Sequence, residues 1–416
     1  MPLVREIFLK IKRFWRNNTP SFYYFLQNCL REFEIFLLGR FPSIYKRRIF
    51  KGICAVVNSE EKSFEKKSCG RPNIVIEQSN LCNLNCAMCK TNESKRPKGE
   101  MSKELFEKVL AQKLSWRQHL LTLHTVGEPF MCSYLEDLFE ICSKNRVYLN
   151  ITTNGLLIPK YINLIRRYPG VIKFMAFSID GASKRTYERI RRGATFETLI
   201  EGLELIKDYN KRFFERISIN LQACLSRENF EEIPLFFRAF SRYFKPEEIL
   251  FTFMTNLSAL HDDGQYYLNN MPIDRKFYRR NWPCILLWNQ IHVLNDGRVS
   301  ACCRDYNGEL IIGNIKKSSL LDIWHSNEYE TLRQHHLKGE IDAISLCRDC
   351  QIVDERFVSL FNDYARYLFI KYGQGSDDYY LRKINLFLEF LYSCKRDTIF
   401  DEKAFKMLFS REKIYE

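Results

Sequence analysis

From residue 72 onward, short apolar runs of strand length alternate with longer amphipathic runs. Asn73-Ile-Val-Ile-Glu77, His119–Val126, Tyr148–Thr153, Phe174–Ile179, Ile217–Gln222 and Ile249–Met254 carry the β-branched and aromatic residues of buried strands. Helical patterns fall between them, including Lys103–Lys113 behind the N-cap candidate Ser102, and Phe230–Tyr243. Six β/α units of this kind predict an α/β fold with a parallel sheet and flanking helices. Farther on, Gln290–Leu294 and Arg298–Ala301 flank the turn Asn295-Asp-Gly-Arg298 and predict a β-hairpin. Residues 1–70 read as helical, with breaks at Pro20, Gly39–Pro42 and Gly52, and helix-like aromatic runs return after residue 351, as in Ile384–Tyr392.

In a parallel β/α sheet, sites form at the carboxyl ends of the strands. Gly127-Glu-Pro129 follows the second strand, Asn154-Gly155 the third and Asp180-Gly181 the fourth. Each is a generic turn signal. Their shared position puts them on one rim.

Composition narrows the class. A chain of 416 residues with 27% charged residues is long enough for two or three folded domains. No apolar run reaches the roughly 18 residues needed to span a bilayer, and charges interrupt Met1–Lys10 too often for a signal peptide. Fifteen cysteines without a secretion signal imply a reducing, cytoplasmic setting and metal binding, not a disulfide framework. The net charge of +14 is concentrated in residues 1–70, which hold fourteen Lys or Arg against six Asp or Glu. Ile7–Arg16 mixes bulky apolar and cationic residues, a pattern compatible with an interfacial helix and with membrane association. A solvated basic helix face explains this segment equally well, and no nucleic-acid partner is expected.

Chemistry enters with Cys82, Cys86 and Cys89, a C-x3-C-x2-C triplet directly after the first strand. Three thiolates can hold three irons of a [4Fe–4S] cluster and leave the fourth without a protein ligand, whereas structural zinc wants four ligands and a closed shell. The triplet resembles the signature of the radical SAM superfamily, with Met88 where an aromatic residue is more usual. Thr125-Val-Gly-Glu-Pro129 is similar to the family's motif for the methionyl amino group of S-adenosylmethionine (SAM), and Ser178–Gly193 to its fourth-strand segment. The resemblance implies a partial (β/α)6 TIM-like barrel. It also implies a [4Fe–4S] cluster that binds SAM, with SAM contacts from Gly127, Glu128, Pro129, Ser178 and Arg191. Arg189 or Arg192 could take the place of Arg191.

A second cysteine group lies beyond a variable stretch. Cys284 and Cys302 bracket the hairpin, and Cys347-Arg-Asp-Cys350 forms a C-x2-C knuckle. Together they make a four-thiolate shell suited to a cluster, with zinc as the alternative. Cys303 could replace Cys302, although strand alternation would turn the two side chains to opposite faces. The zone, with Gly313-Asn314 and Asp322-Ile-Trp324, resembles the auxiliary-cluster region of SPASM or twitch-type radical SAM enzymes. That likeness implies one auxiliary [4Fe–4S] cluster held by Cys284, Cys302, Cys347 and Cys350 in a small cysteine-rich α+β domain. The organisation expected is a helical basic extension (1–71), a radical SAM core (72–256), a variable linker (257–283), the auxiliary domain (284–352) and a helical tail (353–416).

Cysteines 29, 54, 69, 132, 142, 224 and 394 lack ligand spacing and read as small core hydrophobes. His335-His336 sits in a polar helical run and reads as exposed. The resemblance implies an oxidoreductase in which a 5′-deoxyadenosyl radical takes hydrogen from a substrate C–H bond, the auxiliary cluster accepts an electron, and a flavodoxin or ferredoxin supplies reducing equivalents. The substrate expected is a sugar-like or aminocyclitol-like molecule, with a ribosomally made peptide as the alternative. An iron–sulfur carrier would have no use for an open three-cysteine site, and a zinc protein would not cleave SAM.

Overall fold

The computed structural model describes residues 70–116, 119–123, 125–253, 283–348, 350, 355–373 and 376–397, with the isolated positions 49 and 408. The expectations for most of the N-terminal extension, for nearly all of the linker, for Cys29, Cys54 and Cys69 and for the side chain of Cys394 lie outside the described residues.

The strands are β1 (Asn73–Ile76), β2 (Leu120–Leu123), β3 (Tyr148–Thr153), β4 (Ile172–Ser178), β5 (Ser218–Leu225), β6 (Ile249–Phe253), β7 (Gln290–Val293), β8 (Arg298–Ser300) and β9 (Ile311–Asn314). They form one sheet in the order β6-β5-β4-β3-β2-β1-β7-β8-β9. Pairing from β6 to β7 is parallel, and β8 and β9 add antiparallel strands. The six β/α units therefore build an open sheet, a partial barrel whose first strand does not meet its last. The hairpin expected at Asn295–Arg298 is present as β7 and β8. The hairpin extends the main sheet, because β7 pairs with β1 from Asn73↔Gln290 to Ile76↔Val293.

The helices are α1 (Lys103–Ser115), α2 (Leu135–Lys144), α3 (Ile158–Arg167), α4 (Lys184–Ile190), α5 (Phe196–Arg212), α6 (Ile233–Ala239), α7 (Leu286–Asn289), α8 (Leu320–Trp324), α9 (Asn327–Leu337), α10 (Ser345–Arg348), α11 (Glu355–Tyr372) and α12 (Asp377–Asp397). Ser102 caps α1 by accepting from the Leu105 amide at 3.3 Å, satisfying one of the unpaired donors of its first turn. Leu105, Phe106, Val109 and Leu110 then share the buried face that turns α1 onto the sheet.

An open sheet leaves the main chain of its edge strand unpaired, which invites pairing with other chains. Here α11 covers β6. Asn362 accepts from the Phe251 amide at 2.7 Å and donates to the Phe251 carbonyl at 2.8 Å, while Arg366 donates to the carbonyls of Ile249 and Pro246. Phe237–Phe369 and Phe253–Phe361 ring contacts, both at 4.8 Å, fill the seam. The aromatic tail is thus part of the main core. Among the described residues, no helix is long and apolar enough to cross a membrane.

Candidate active site on the carboxyl rim of the sheet

The loop after β1 carries the cysteine triplet, with Cys86 buried and Cys82 and Cys89 half-buried. Its main chain is pinned from both sides. The amides of Asn85 and Ala87 donate to the carbonyls of Arg192 and Ile190 at 3.0 and 2.8 Å, and the Glu128 amide donates to the Leu81 carbonyl at 2.7 Å. Gly127 has φ +87°, and a Cβ there would meet the Ser79 oxygen at 2.6 Å. Only glycine fits both the conformation and the close approach.

Glu128 is buried and spans two strand ends. Its carboxylate accepts from Thr153 Oγ1 at 2.6 Å, the Asn154 amide at 2.8 Å and the Phe130 amide at 3.4 Å. Burial raises its pKa, and these donors oppose the rise. Pro129 begins the short turn Pro129–Met131, whose start lies under the Gln78 side chain. Asn154 completes the rim by donating to Asn83 Oδ1, inside the cysteine loop, at 2.8 Å.

Ser178 ends β4 opposite Gln222. Two residues on, Asp180 is buried, accepts from the Cys224 amide at 2.7 Å and lies 2.7 Å from Arg191 Nη2. Arg191 Nη1 is 3.9 Å from Cys86 Sγ. Burial works against this guanidinium, but Asp180 and then Cys86 outweigh it and raise the Arg191 pKa. The other two arginines point elsewhere: Arg189 pairs with Glu228 at 2.5 Å on the half-exposed surface, and Arg192 is exposed. Burial pushes the Cys82 thiol up and the Cys86 thiol up to about 12. Cys89 contributes to the rise at both Cys82 and Cys86, and Cys82 to that at Cys86, so the three thiols lie within electrostatic reach of one another.

Whether this pocket suits an anionic guest can be read from its donors. Arg191 Nε and the Tyr187 hydroxyl are buried without a hydrogen-bond partner beside the triplet. Unpaired buried donors are costly. An iron–sulfur cluster, or the carboxylate of a ligand on it, would supply acceptors, so the residues fit that group. Among the described residues, no three His, Cys, Asp or Glu side chains close tightly enough to hold one metal ion.

In the second cysteine group, Cys284 lies within electrostatic reach of both Cys302 and Cys347. Cys347 is pushed up to about 12 by burial and then by Cys350 and Cys284, and Cys302 is raised by the adjacent Cys303, by burial and by Cys284. Strand alternation does not govern Cys302 and Cys303, because β8 stops at Ser300. Instead the two adjacent thiols interact closely, which holds Cys303 below the usual thiol range and Cys302 above it. Cys302 is the member that senses Cys284, while Cys303 senses Arg304.

Sequence patterning missed several residues here. His336 is buried, contrary to the exposure expected of it. Its Nδ1 accepts from the Cys284 amide at 3.3 Å, and desolvation followed by His335 lowers its pKa to about 4. Asp180 is marked locally only as a turn residue, and nothing local marks Tyr187. Of the unassigned cysteines, Cys132 and Cys142 are in the core as expected, whereas Cys224 sits half-buried near Asp180, Arg304 and Arg191.

The Radical SAM superfamily profile matches residues 76–238, and that of an iron–sulfur cluster-binding domain, SPASM, matches residues 284–351. A curated relative from Niallia circulans, an S-adenosyl-L-methionine-dependent 2-deoxy-scyllo-inosamine dehydrogenase, is 24% identical and aligns over 67% of this chain and 92% of its own length. The tungsten-containing aldehyde ferredoxin oxidoreductase cofactor-modifying protein of Pyrococcus furiosus is 23% identical over 68% of this chain and 87% of its own. The structure of anSMEcpe with bound AdoMet and a Cp18Cys peptide superposes with a TM-score of 0.51 at 15% identity, covering 72% of this chain and 97% of that one.

Proposed function

Because the chain belongs to the radical SAM superfamily and carries a SPASM iron–sulfur cluster-binding domain, we propose that it oxidises a sugar-like or aminocyclitol-like small molecule by hydrogen-atom abstraction. It is an enzyme whose cofactors are SAM, a SAM-binding [4Fe–4S] cluster and an auxiliary iron–sulfur cluster. When bound, SAM and the first cluster supply a 5′-deoxyadenosyl radical able to attack an unactivated C–H bond.

The chain's own residues hold and orient these groups in the following way. Cys82, Cys86 and Cys89 ligate the first cluster, and Cys284, Cys302, Cys347 and Cys350 complete a [4Fe–4S] shell at the second site. Arg191 and Ser178 receive the SAM carboxylate, since a planar guanidinium matches a carboxylate. The Gly127–Pro129 loop faces the amino group through its main chain, because the Glu128 carboxylate is already engaged by three donors. With four cysteines the auxiliary shell has no open position for substrate, which suits it to electron transfer. A flavodoxin or ferredoxin is the reductant proposed.

The observation that carries this reading is the buried Arg191 placed 3.9 Å from Cys86, on the same rim as the Gly127–Pro129 loop. The dehydrogenase relative supports the substrate class.

The test is anaerobic reconstitution with iron and sulfide counting, then a dithionite assay for 5′-deoxyadenosine from SAM. About eight irons per chain are expected, the sum of two [4Fe–4S] clusters, with no product from a Cys82/Cys86/Cys89→Ala variant. Equal product from both proteins would sink the enzyme reading. Deuterated aminocyclitols and hexoses then test the substrate class by label transfer into deoxyadenosine. Transfer from a peptide instead would replace that class.

A further inference from the structure

Glu77 and Arg96 form an ion pair that the mechanism does not use. Their side chains are 0% and 3% exposed, and both carboxylate oxygens are engaged, at 2.7 and 2.6 Å. Replacing a buried pair of this kind by apolar residues is often neutral or even stabilising, because both charges must be stripped of water. What the pair supplies is a fixed geometry, so its location matters.

Arg96 stands in the loop of the first cysteine triplet, seven residues after Cys89. Its Nε donates to the Tyr306 carbonyl at 2.8 Å, and Tyr306 is four residues after Cys302. Nη1 also reaches Asn295 Oδ1 at 3.4 Å, and the Asn295 amide donates to Glu77 Oε1 at 3.3 Å. Ser94 Oγ donates to the same Tyr306 carbonyl at 2.7 Å, and the Lys95 amide to Asn307 Oδ1 at 3.1 Å. Three successive residues of one cysteine loop therefore grip two successive residues of the other.

Both sides of this grip are stiff. Asp305 accepts from Ser300 Oγ and the amides of Glu309 and Leu310 at 2.7 to 2.9 Å, which locks the segment that follows Cys302. Gly308 has φ +72°, and a Cβ there would meet Arg96 Cδ at 3.2 Å. A side chain at 308 would crowd both Arg298 and Arg96.

We propose that Glu77 and Arg96 are positioning residues that hold the triplet loop against the Cys302 segment and so fix the separation of the two redox centres. This rests on the reading of the two cysteine groups as cluster ligands. Electron transfer falls steeply with distance, so a clasp that removes slack between the loops keeps the substrate radical's electron on one route. The fork of arginine matters here, because lysine offers a point charge that cannot span Glu77 and Tyr306 in one plane.

The experiment uses the full chain, reconstituted and reduced, with Arg96→Met, Arg96→Lys and Glu77→Gln variants. Iron content, thermal unfolding, abortive deoxyadenosine formation and the magnetic interaction between the reduced clusters in electron paramagnetic resonance are read together. The proposal expects wild-type iron content and deoxyadenosine formation in all three, with the interaction weakened or lost, and no rescue by lysine. An unchanged interaction in Arg96→Met, even with a lowered melting temperature, would overturn it and leave the pair a stability element. Should the Arg96 variants fail to fold, Glu77→Gln, which keeps the side chain's shape and removes its charge from Arg96, decides by the same signal. About four irons in the wild type would count against the two-cluster reading itself, an outcome distinct from eight irons with an unchanged interaction.

Discussion

Arg191→Met tests the centre of the proposed site because its cost can be worked from its surroundings. The substitution leaves Asp180, 1% exposed, with the Cys224 amide as a donor but without its cation. Breaking a buried ion pair from one side costs about 3–5 kcal/mol, most of it the penalty of the stranded charge. At about 2–4 °C per kcal/mol for a core of this size, the apo protein should melt on the order of 10 °C lower. Asp180→Asn/Arg191→Met removes both charges and should regain most of that loss. Differential scanning calorimetry of these three apo proteins together with Asp180→Asn completes a double-mutant cycle. The deoxyadenosine assay is read separately, and both proteins that carry Arg191→Met should lose product whatever their stability. A double variant that melts no higher than Arg191→Met would refute the reasoning, since the penalty would then not come from Asp180.

Glu128 gives a pH-dependent counterpart. Its folded pKa is raised, so its contribution to stability is fully present below the usual carboxylate range and is lost as pH rises through the folded value. The melting temperature of Glu128→Gln relative to wild type should therefore climb with pH across that window, and a flat difference would contradict the burial effect. Asn362→Ala strips the Phe251 amide and carbonyl of their partners. A loss of about 1–3 kcal/mol per unsatisfied group is expected, with more aggregation from the bared β6 edge, and unchanged melting would remove α11 from its capping role. Cys302→Ala should lose the auxiliary cluster and Cys303→Ala should keep it, as counted by iron per chain; the reverse would exchange their roles.

Much of this protein is legible in its sequence because the relevant signals are local. The apolar run Tyr148–Thr153 is the strand itself, Ser102 caps the helix it precedes, and the Asn295–Arg298 turn joins the two strands that flank it. Backbone conformation at these places depends on neighbours within a few residues. The triplet and the C-x2-C knuckle are legible for the same reason, since metal clusters draw on ligands a few residues apart.

Tertiary structure decided what depends on partners far along the chain. Three arginines within four positions, Arg189, Arg191 and Arg192, are equivalent on paper; the turn after α4 buries only the middle one, against Asp180 and Cys86. His336 reads as a surface residue until α9 turns it under Cys284. The pairing of β1 with β7 and the grip of Arg96 on Tyr306 join residues more than two hundred apart. Nothing in a local pattern encodes such a meeting, because a side chain's desolvation and its available acceptors exist only once the distant segments have packed around it.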